Sequence, residues 1–269
     1  ARVAGSGGFE KICVVKRILP QYASDPDFVR MFLDEARLTA AIRHGNVAQV
    51  FDMGECEDGL YFAMEYVHGV DLRFVLHTLA TREERMPLEH VLTIGIGAAA
   101  GLHAAHERKD REGRPLGIVH RDVKPSNVFL PAGRPAKIMD FGVARLAGLG
   151  TTTAGVVVGT PNYMSPEQVA AGELDGRSDL FSAGLILYEL VTGEKAFQAD
   201  SLVSIMYKIL HEAPDLGLIP DGRQWERLRA VLARASRARP RTATPMPEPA
   251  SRPISDGIHT ASPFRGRGV

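Results

Sequence analysis

The run IVHRDVKPSNVFL (Ile118 to Leu130) is apolar at both ends and polar in its middle. His120, Arg121, Asp122, Lys124 and Asn127 crowd into the centre, and Pro125 stiffens the connection. A second run, AKIMDFGVAR (Ala136 to Arg145), passes from a short apolar strand into Asp140-Phe141-Gly142. Carboxylates can accept protons, and carboxylate and amide oxygens suit a hard cation such as magnesium. The plainer alternative is a pair of solvated loops. Two charges further upstream are also out of place. Lys16 interrupts the apolar strand ICVVKRIL (Ile12 to Leu19), and Glu35 lies on the apolar stripe of a helix. A charge there is costly unless it is paired. Each explains the other if strand and helix pack together; a small rotation that turns both to solvent is the competing reading.

In chain order, Lys16, Glu35, His120-Arg121-Asp122 with Asn127, Asp140-Phe141-Gly142 and Ser165-Pro166-Glu167 resemble the motifs of a eukaryotic-type (Hanks-type) bacterial serine/threonine protein kinase catalytic domain. The resemblance covers roughly residues 1 to 232. It implies an α+β, bilobal fold: a small antiparallel β lobe with one helix, and a larger, mainly helical lobe. It implies ATP and Mg2+, protein substrates with Ser or Thr, and transfer of the γ-phosphate of ATP to their hydroxyls. Phosphoryl transfer needs positioning and charge neutralisation more than covalent help. On this resemblance Asp122 would accept the substrate proton, and Asn127 and Asp140 would hold magnesium. Lys16 would hold the α- and β-phosphates, Glu35 would hold Lys16, and Lys124 would steady the moving phosphoryl group. Lysine at the last position resembles the serine/threonine kinases rather than the tyrosine ones.

The stretch YFAMEYVHGVD resembles the strand and connector that bind adenine. Met64 would back the pocket, the backbone of Glu65 and Val67 would face the adenine edge, Asp71 would take a ribose hydroxyl and Val14 would cover the ring. Residues 142–167 resemble an activation segment. Thr151, Thr152 and Thr153 are its candidates for autophosphorylation, with Arg121 as the partner of the phosphate. Thr160 resembles the threonine that contacts the catalytic aspartate. Glu167 would pair with an arginine, for which Arg237, Arg239 and Arg241 are candidates. Asp179 would tie the catalytic-loop backbone to a central helix; its plain alternative is a helix cap.

Gly5-Ser6-Gly7-Gly8 poses a separate question, because a glycine loop can cradle phosphate. The chain from Gly8 to Lys16 at ~3.3 Å per residue has room for one strand arm only. The glycines therefore read as the turn between the second and third strands of the lobe, with Arg2 to Ala4 as the stub of the second. The family's first strand and Gly-rich loop are expected to be missing from the given chain. That expectation keeps a second reading alive: a pseudokinase or nucleotide-binding scaffold that is catalytically weak.

The elements that must position these residues are legible in outline. Asp25-Pro26 starts a helix, with Phe28, Phe32, Glu35, Thr39 and Ile42 on one stripe. VAQVFDMG and GLYFAMEYV read as two strands joined at Glu55–Asp58. Leu88–Glu107 and Asp179–Thr192 read as helices, the second stopping at Gly193. The division expected is residues 1–67 for the small lobe, 68–235 for the helical lobe, and 236–269 for a Pro/Arg-rich, disordered tail.

Lysine plus arginine and aspartate plus glutamate number 32 each, so no global field steers the chain to nucleic acid. A hydrophobic content of 45% is enough for a sizeable core. Cys13 and Cys56 read as buried free thiols in a reducing, cytoplasmic compartment. The apolar run VLTIGIGAAAGL (Val91 to Leu102) is shorter than the ~18 residues a membrane span needs, so it reads as a buried helix. His103 and His106 have metal-ligand spacing but no third ligand nearby, and read as helix residues. The expected partners are protein substrates, with a kinase dimer left open and no nucleic acid. The chain starts at Ala1, so segments outside it, including a membrane anchor, are also left open.

Overall fold

In the computed structural model, strand β1 (Arg2–Ala4) turns through a 3-10 segment, Ser6–Gly8, into β2 (Glu10–Arg17). The described residues are 1–4, 6–8, 10–57, 59–141 and 161–236. Gly5, Thr151, Thr152, Thr153, Thr160, Arg237, Arg239 and Arg241 lie outside them. Gly7 and Gly8 have φ of 71° and 79°, the left-handed backbone that glycine adopts without a steric cost. β1 is antiparallel to β2, with Arg2 opposite Ile12 and Ala4 opposite Glu10. The glycine turn thus stands at the far end of β2 from Lys16, ~26 Å away along an extended chain.

Asp25 caps α1 (Pro26–Ala41), its side chain accepting from the N–H groups of Asp27 and Phe28. Pro26 at the first position needs no hydrogen-bond partner for its nitrogen, so it starts the helix without loss. Two further strands, β3 (Val50–Cys56) and β4 (Gly59–Glu65), complete a sheet in the order β1-β2-β4-β3. Register places Lys16 opposite Phe62 and Val14 opposite Met64. Ile18, Phe32, Ala36, Val50, Phe62 and Met64 pack into the core between α1 and the sheet.

One expectation about this lobe needs correction. Cys13 is buried as expected, but Cys56 is exposed. It ends β3 at the hairpin, where its Sγ faces the Gly59 carbonyl and the core has run out.

The rest of the chain is mainly helical. A short strand, β5 (Gly69–Asp71), leads into α2 (Leu72–Thr81), capped by the Asp71 side chain. Helix α3 (Leu88–His106) follows, then β6 (Val128–Pro131) and β7 (Lys137–Ile138), which form a sheet ordered β5-β6-β7. Beyond them come α4 (Pro166–Val169), α5 (Gly176–Thr192), α6 (Leu202–His211) and α7 (Arg223–Ala235). Helix α3 is long and apolar enough to cross a membrane by composition alone. Here Val91, Ile94, Ala98, Leu102 and Ala105 line the large core with Ile138, Phe141 and Ile186. Gly101 lets α3 approach closely: a Cβ there would lie 2.7 Å from the Asn46 carbonyl oxygen. Helix α5 is buried nearly all round and ends at Gly193, φ 74°. It starts three residues before the expected Ser178-Asp179, with Asp175 as its cap. Asp179 is therefore not the cap, and its carboxylate is free for other work.

Candidate active site

Strand β2 brings Lys16 to the inner face of the small lobe, and α1 brings Glu35 to meet it. Lys16 Nζ donates to Glu35 Oε1 at 2.5 Å and lies 3.4 Å from Asp140 Oδ1. The two odd charges of the sequence therefore pair, and the solvent-facing alternative is ruled out. Burial alone would lower the Lys16 pKa, but Asp140 and Glu35 outweigh it and hold the ammonium above its ordinary value. Burial raises Glu35, which is 5% exposed, more than Lys16 can lower it.

Asp140 lies two residues past the end of β7, with a left-handed φ of 53°. Its side chain is half exposed, toward the space between the lobes. Asp122 lies on the loop before β6. Lys124 Nζ is 2.8 Å from Asp122 Oδ2. Asn127 Nδ2 donates to the Asp122 carbonyl at 2.8 Å and to its Oδ2 at 3.0 Å. With the amide nitrogen so engaged, Asn127 Oδ1 accepts only a long bond from the Ser126 hydroxyl at 3.5 Å and keeps a lone pair for a cation. Asn127 and Asp140 are then an oxygen donor set of the kind magnesium takes, so the residues fit that ion.

His120 wires these loops together. Its Nδ1 accepts from the Asp122 N–H at 3.2 Å, and its Nε2 donates to the Met139 carbonyl at 3.0 Å. Burial pushes its pKa down, so the ring stays neutral and one nitrogen remains an acceptor. Its ring packs on Phe141, centroids 4.5 Å apart. Asp179 supports the same loop from α5, accepting from the N–H groups of His120 and Arg121 at 2.7 and 2.8 Å. Arg121 takes a left-handed φ of 68° to present its N–H this way. Its guanidinium Nε is buried without a hydrogen-bond partner among the described residues. Burial lowers the Arg121 pKa, with Asp179 acting in the opposite sense.

His106 was missed as a site residue. Its Nε2 meets Asp179 Oδ2 at 2.7 Å, and its ring lies so close to Gly176 that a Cβ there would be 2.7 Å from Nδ1. The only signal in the sequence was its place at the end of α3. His103 and His106 both lie in the last turn of α3.

At the other end of the cleft, Met64 is buried at the end of β4, Val67 is buried just beyond it, and Val14 packs on the same core. Glu65 ends β4 between them. Asp71 is partly engaged, its Oδ1 accepting from the Phe74 N–H at 2.8 Å as the α2 cap. Glu167 is buried on α4, accepting from the Ser178 hydroxyl through Oε1, while its Oε2 has no partner among the described residues. A cavity of about 730 Å³ opens beside the catalytic loop, lined by Lys124, Pro125, Ser126, Tyr163 and Glu189 among others. In its wall Tyr163 donates to Glu189 at 2.5 Å.

Comparison with known proteins shows the family and the fold. A family model described as "Protein kinase domain" matches residues 7–251. "Tyrosine-protein kinase MasK" of Myxococcus xanthus is 39% identical over 251 residues, 92% of this chain and 38% of that protein. "Serine/threonine-protein kinase PknB" of Mycobacterium tuberculosis is 38% identical over 225 residues, 81% of this chain and 33% of that protein. The chain thus spans about a third of the length of such relatives. The crystal structure of the Mycobacterium tuberculosis PknI kinase domain is similar with a TM-score of 0.61 at 29% identity, covering 87% of this chain and 80% of that one.

Proposed function

The chain belongs to the protein kinase domain family, and we propose that it transfers the γ-phosphate of ATP to serine and threonine hydroxyls of proteins. The observation that carries this reading is the convergence of Lys16, Glu35 and Asp140, which are far apart in sequence and come from both lobes. An ammonium held between two carboxylates is preorganised to exchange one of them for phosphate oxygens. Lys16 binds the α- and β-phosphates while Glu35 keeps it in place. Asn127 and Asp140 would hold magnesium, which would supply charge neutralisation on the phosphates. Asp122 takes the proton of the attacking hydroxyl, and Lys124 balances the charge on the moving phosphoryl group. Val14, Met64 and the backbone of Glu65 and Val67 enclose the adenine, with Asp71 toward the ribose.

Ser/Thr rather than Tyr specificity is favoured by Lys124, whose ammonium lies on the Asp122 carboxylate. Autophosphorylation at Thr151, Thr152 or Thr153 is part of the proposal. Its support is the buried Nε of Arg121, which has no partner among the described residues and could meet an anion. Glu167, with one oxygen unmatched, suits an arginine partner. The reading places the domain in the cytoplasm, where ATP and its protein substrates are.

Incubation with Mg-ATP and a generic basic protein, beside an Asp122→Asn control, tests the reading. Transfer to Ser or Thr that the control loses supports the enzyme, and phosphoamino-acid analysis separates Ser/Thr from Tyr. Thermal stabilisation by ATP without transfer would instead favour a nucleotide-binding scaffold. An unchanged Thr151/Thr152/Thr153→Ala triple variant would remove the autophosphorylation element alone.

A further inference from the structure

Lys137 and Glu65 form an ion pair between the end of β4 and the start of β7. Lys137 Nζ lies 2.9 Å from Glu65 Oε2, and the side chains are 13% and 29% exposed. Their backbones belong to different sheets. Glu65 ends β4 of the four-stranded sheet, while Lys137 opens β7 of the three-stranded one.

Each partner is fixed on its own side. The Glu65 N–H donates to the Gln49 carbonyl at 2.8 Å, and its Oε2 faces the Gln49 N–H at 3.4 Å. On β7, the Ile138 N–H donates to the Asn46 carbonyl at 2.7 Å, and the Ile138 carbonyl accepts from the Ala48 N–H at 2.9 Å. The Asn46 side chain adds a bond to the Ala136 carbonyl at 2.7 Å. Strand β7 is thus held rigidly by residues 46–48, and the Lys137 ammonium projects from a fixed base onto the last residue before the connector. Two residues past Glu65 the backbone reaches Val67; three past Lys137 it reaches Asp140.

We propose that Lys137 is a positioning residue for the adenine end of the nucleotide site. Its ammonium holds the Glu65 carboxylate, so the backbone of Glu65 and Val67 keeps the spacing that an adenine edge requires. Without it, Glu65 would turn its carboxylate toward water and the connector would gain freedom that nucleotide binding must then remove. Partial burial makes the pair stronger than an exposed one, because water screens it less. The inference rests on the reading of this connector as the adenine site.

Calorimetric titration with Mg-ATP and separately with adenosine, on wild type, Lys137→Met, Lys137→Arg and Glu65→Gln, tests it. Lys137→Met and Glu65→Gln should each weaken both ligands by the same factor, about fivefold. Lys137→Arg should retain most of the affinity. In steady state, Lys137→Met should raise the KM for ATP by that factor with kcat within about twofold of wild type. Adenosine binding unchanged in both variants would overturn the proposal, as would a fall in kcat at constant KM, which a merely structural role would produce. Should Lys137→Met fail to fold, Glu65→Gln decides by the same titration. If wild type itself bound neither ligand, the adenine reading would have failed first, and the role of Lys137 with it.

Discussion

The Asp179 carboxylate accepts the backbone N–H of Arg121 at 2.8 Å, across 58 residues of chain. Its other oxygen serves His120 and His106 together. A carboxylate on the most buried helix of the protein thereby sets the backbone from which Asp122 projects. Replacing it changes the loop rather than the chemistry of any reacting group.

Asp179→Asn replaces an acceptor-only group with one that must also place an NH2 among donors. Two backbone N–H groups and His106 cannot all be satisfied by a single amide oxygen. The variant should lose about 2–4 kcal/mol of stability in urea titration, since charge-assisted buried hydrogen bonds are involved. Phosphotransfer should fall by about 10²-fold or more in the fraction that stays folded, measured below its melting point.

Lys16→Met strands the Glu35 carboxylate. Glu35 already has a raised pKa because burial disfavours its charge, and Lys16 is the group that opposes this. Removing the ammonium raises the Glu35 pKa further. A carboxyl whose folded pKa exceeds its unfolded one binds more protons when folded, so stability falls as pH rises through that window. Denaturant melts from about pH 5 to about pH 8 should show the variant losing stability more steeply than wild type. A parallel pH profile for the two proteins would refute the pairing.

His120 carries the opposite sign. Burial depresses its pKa, so the unfolded chain takes up a proton that the folded ring refuses. Stability from this group is complete above about pH 6.5 and is lost as pH falls below that. His120→Phe keeps the packing on Phe141 but removes the titration. Its acid-side melting curve should therefore be flatter than that of wild type, while it loses about 1–3 kcal/mol at neutral pH because the Met139 carbonyl and Asp122 N–H lose their partner.

Gly101→Val tests the close approach of α3 to the segment before β3. The added atoms meet the Asn46 carbonyl and the Ile138 side chain. Overpacking of this kind costs about 1–3 kcal/mol, read as a lowered Tm. Because Asn46 and Ile138 also brace β7, nucleotide-dependent stabilisation should shrink alongside the Tm.

The groups that the structure brings together were legible because they depend on residue type and order. Asp122, Asn127 and Asp140 announce themselves as polar groups in apolar surroundings, and Lys16 and Glu35 as charges on apolar faces. The helix starting at Asp25-Pro26 and the stop at Gly193 were readable for the same local reason, since caps act within one turn. Other features were not local. The exposure of Cys56 depends on where the hairpin leaves the core. The start of α5 at Asp175 was hidden because Asp175 and Ser178-Asp179 are equally good caps in isolation. Only the competing demand of the His120 and Arg121 N–H groups shows what Asp179 is for.

By itself the sequence determined which groups are available: one ammonium on a strand, one carboxylate on a helix stripe, and two polar loops in a fixed order. That much follows from periodicity and from the cost of leaving a charge unpaired in an apolar setting. Only the tertiary structure decided that Lys16 is shared between Glu35 and Asp140, that His106 and Asp179 brace the loop of Asp122, and that Lys137 reaches Glu65. Those contacts join residues as far as 124 positions apart. They form because packing two sheets and a buried helix brings them within hydrogen-bond reach, and no local rule of spacing encodes that.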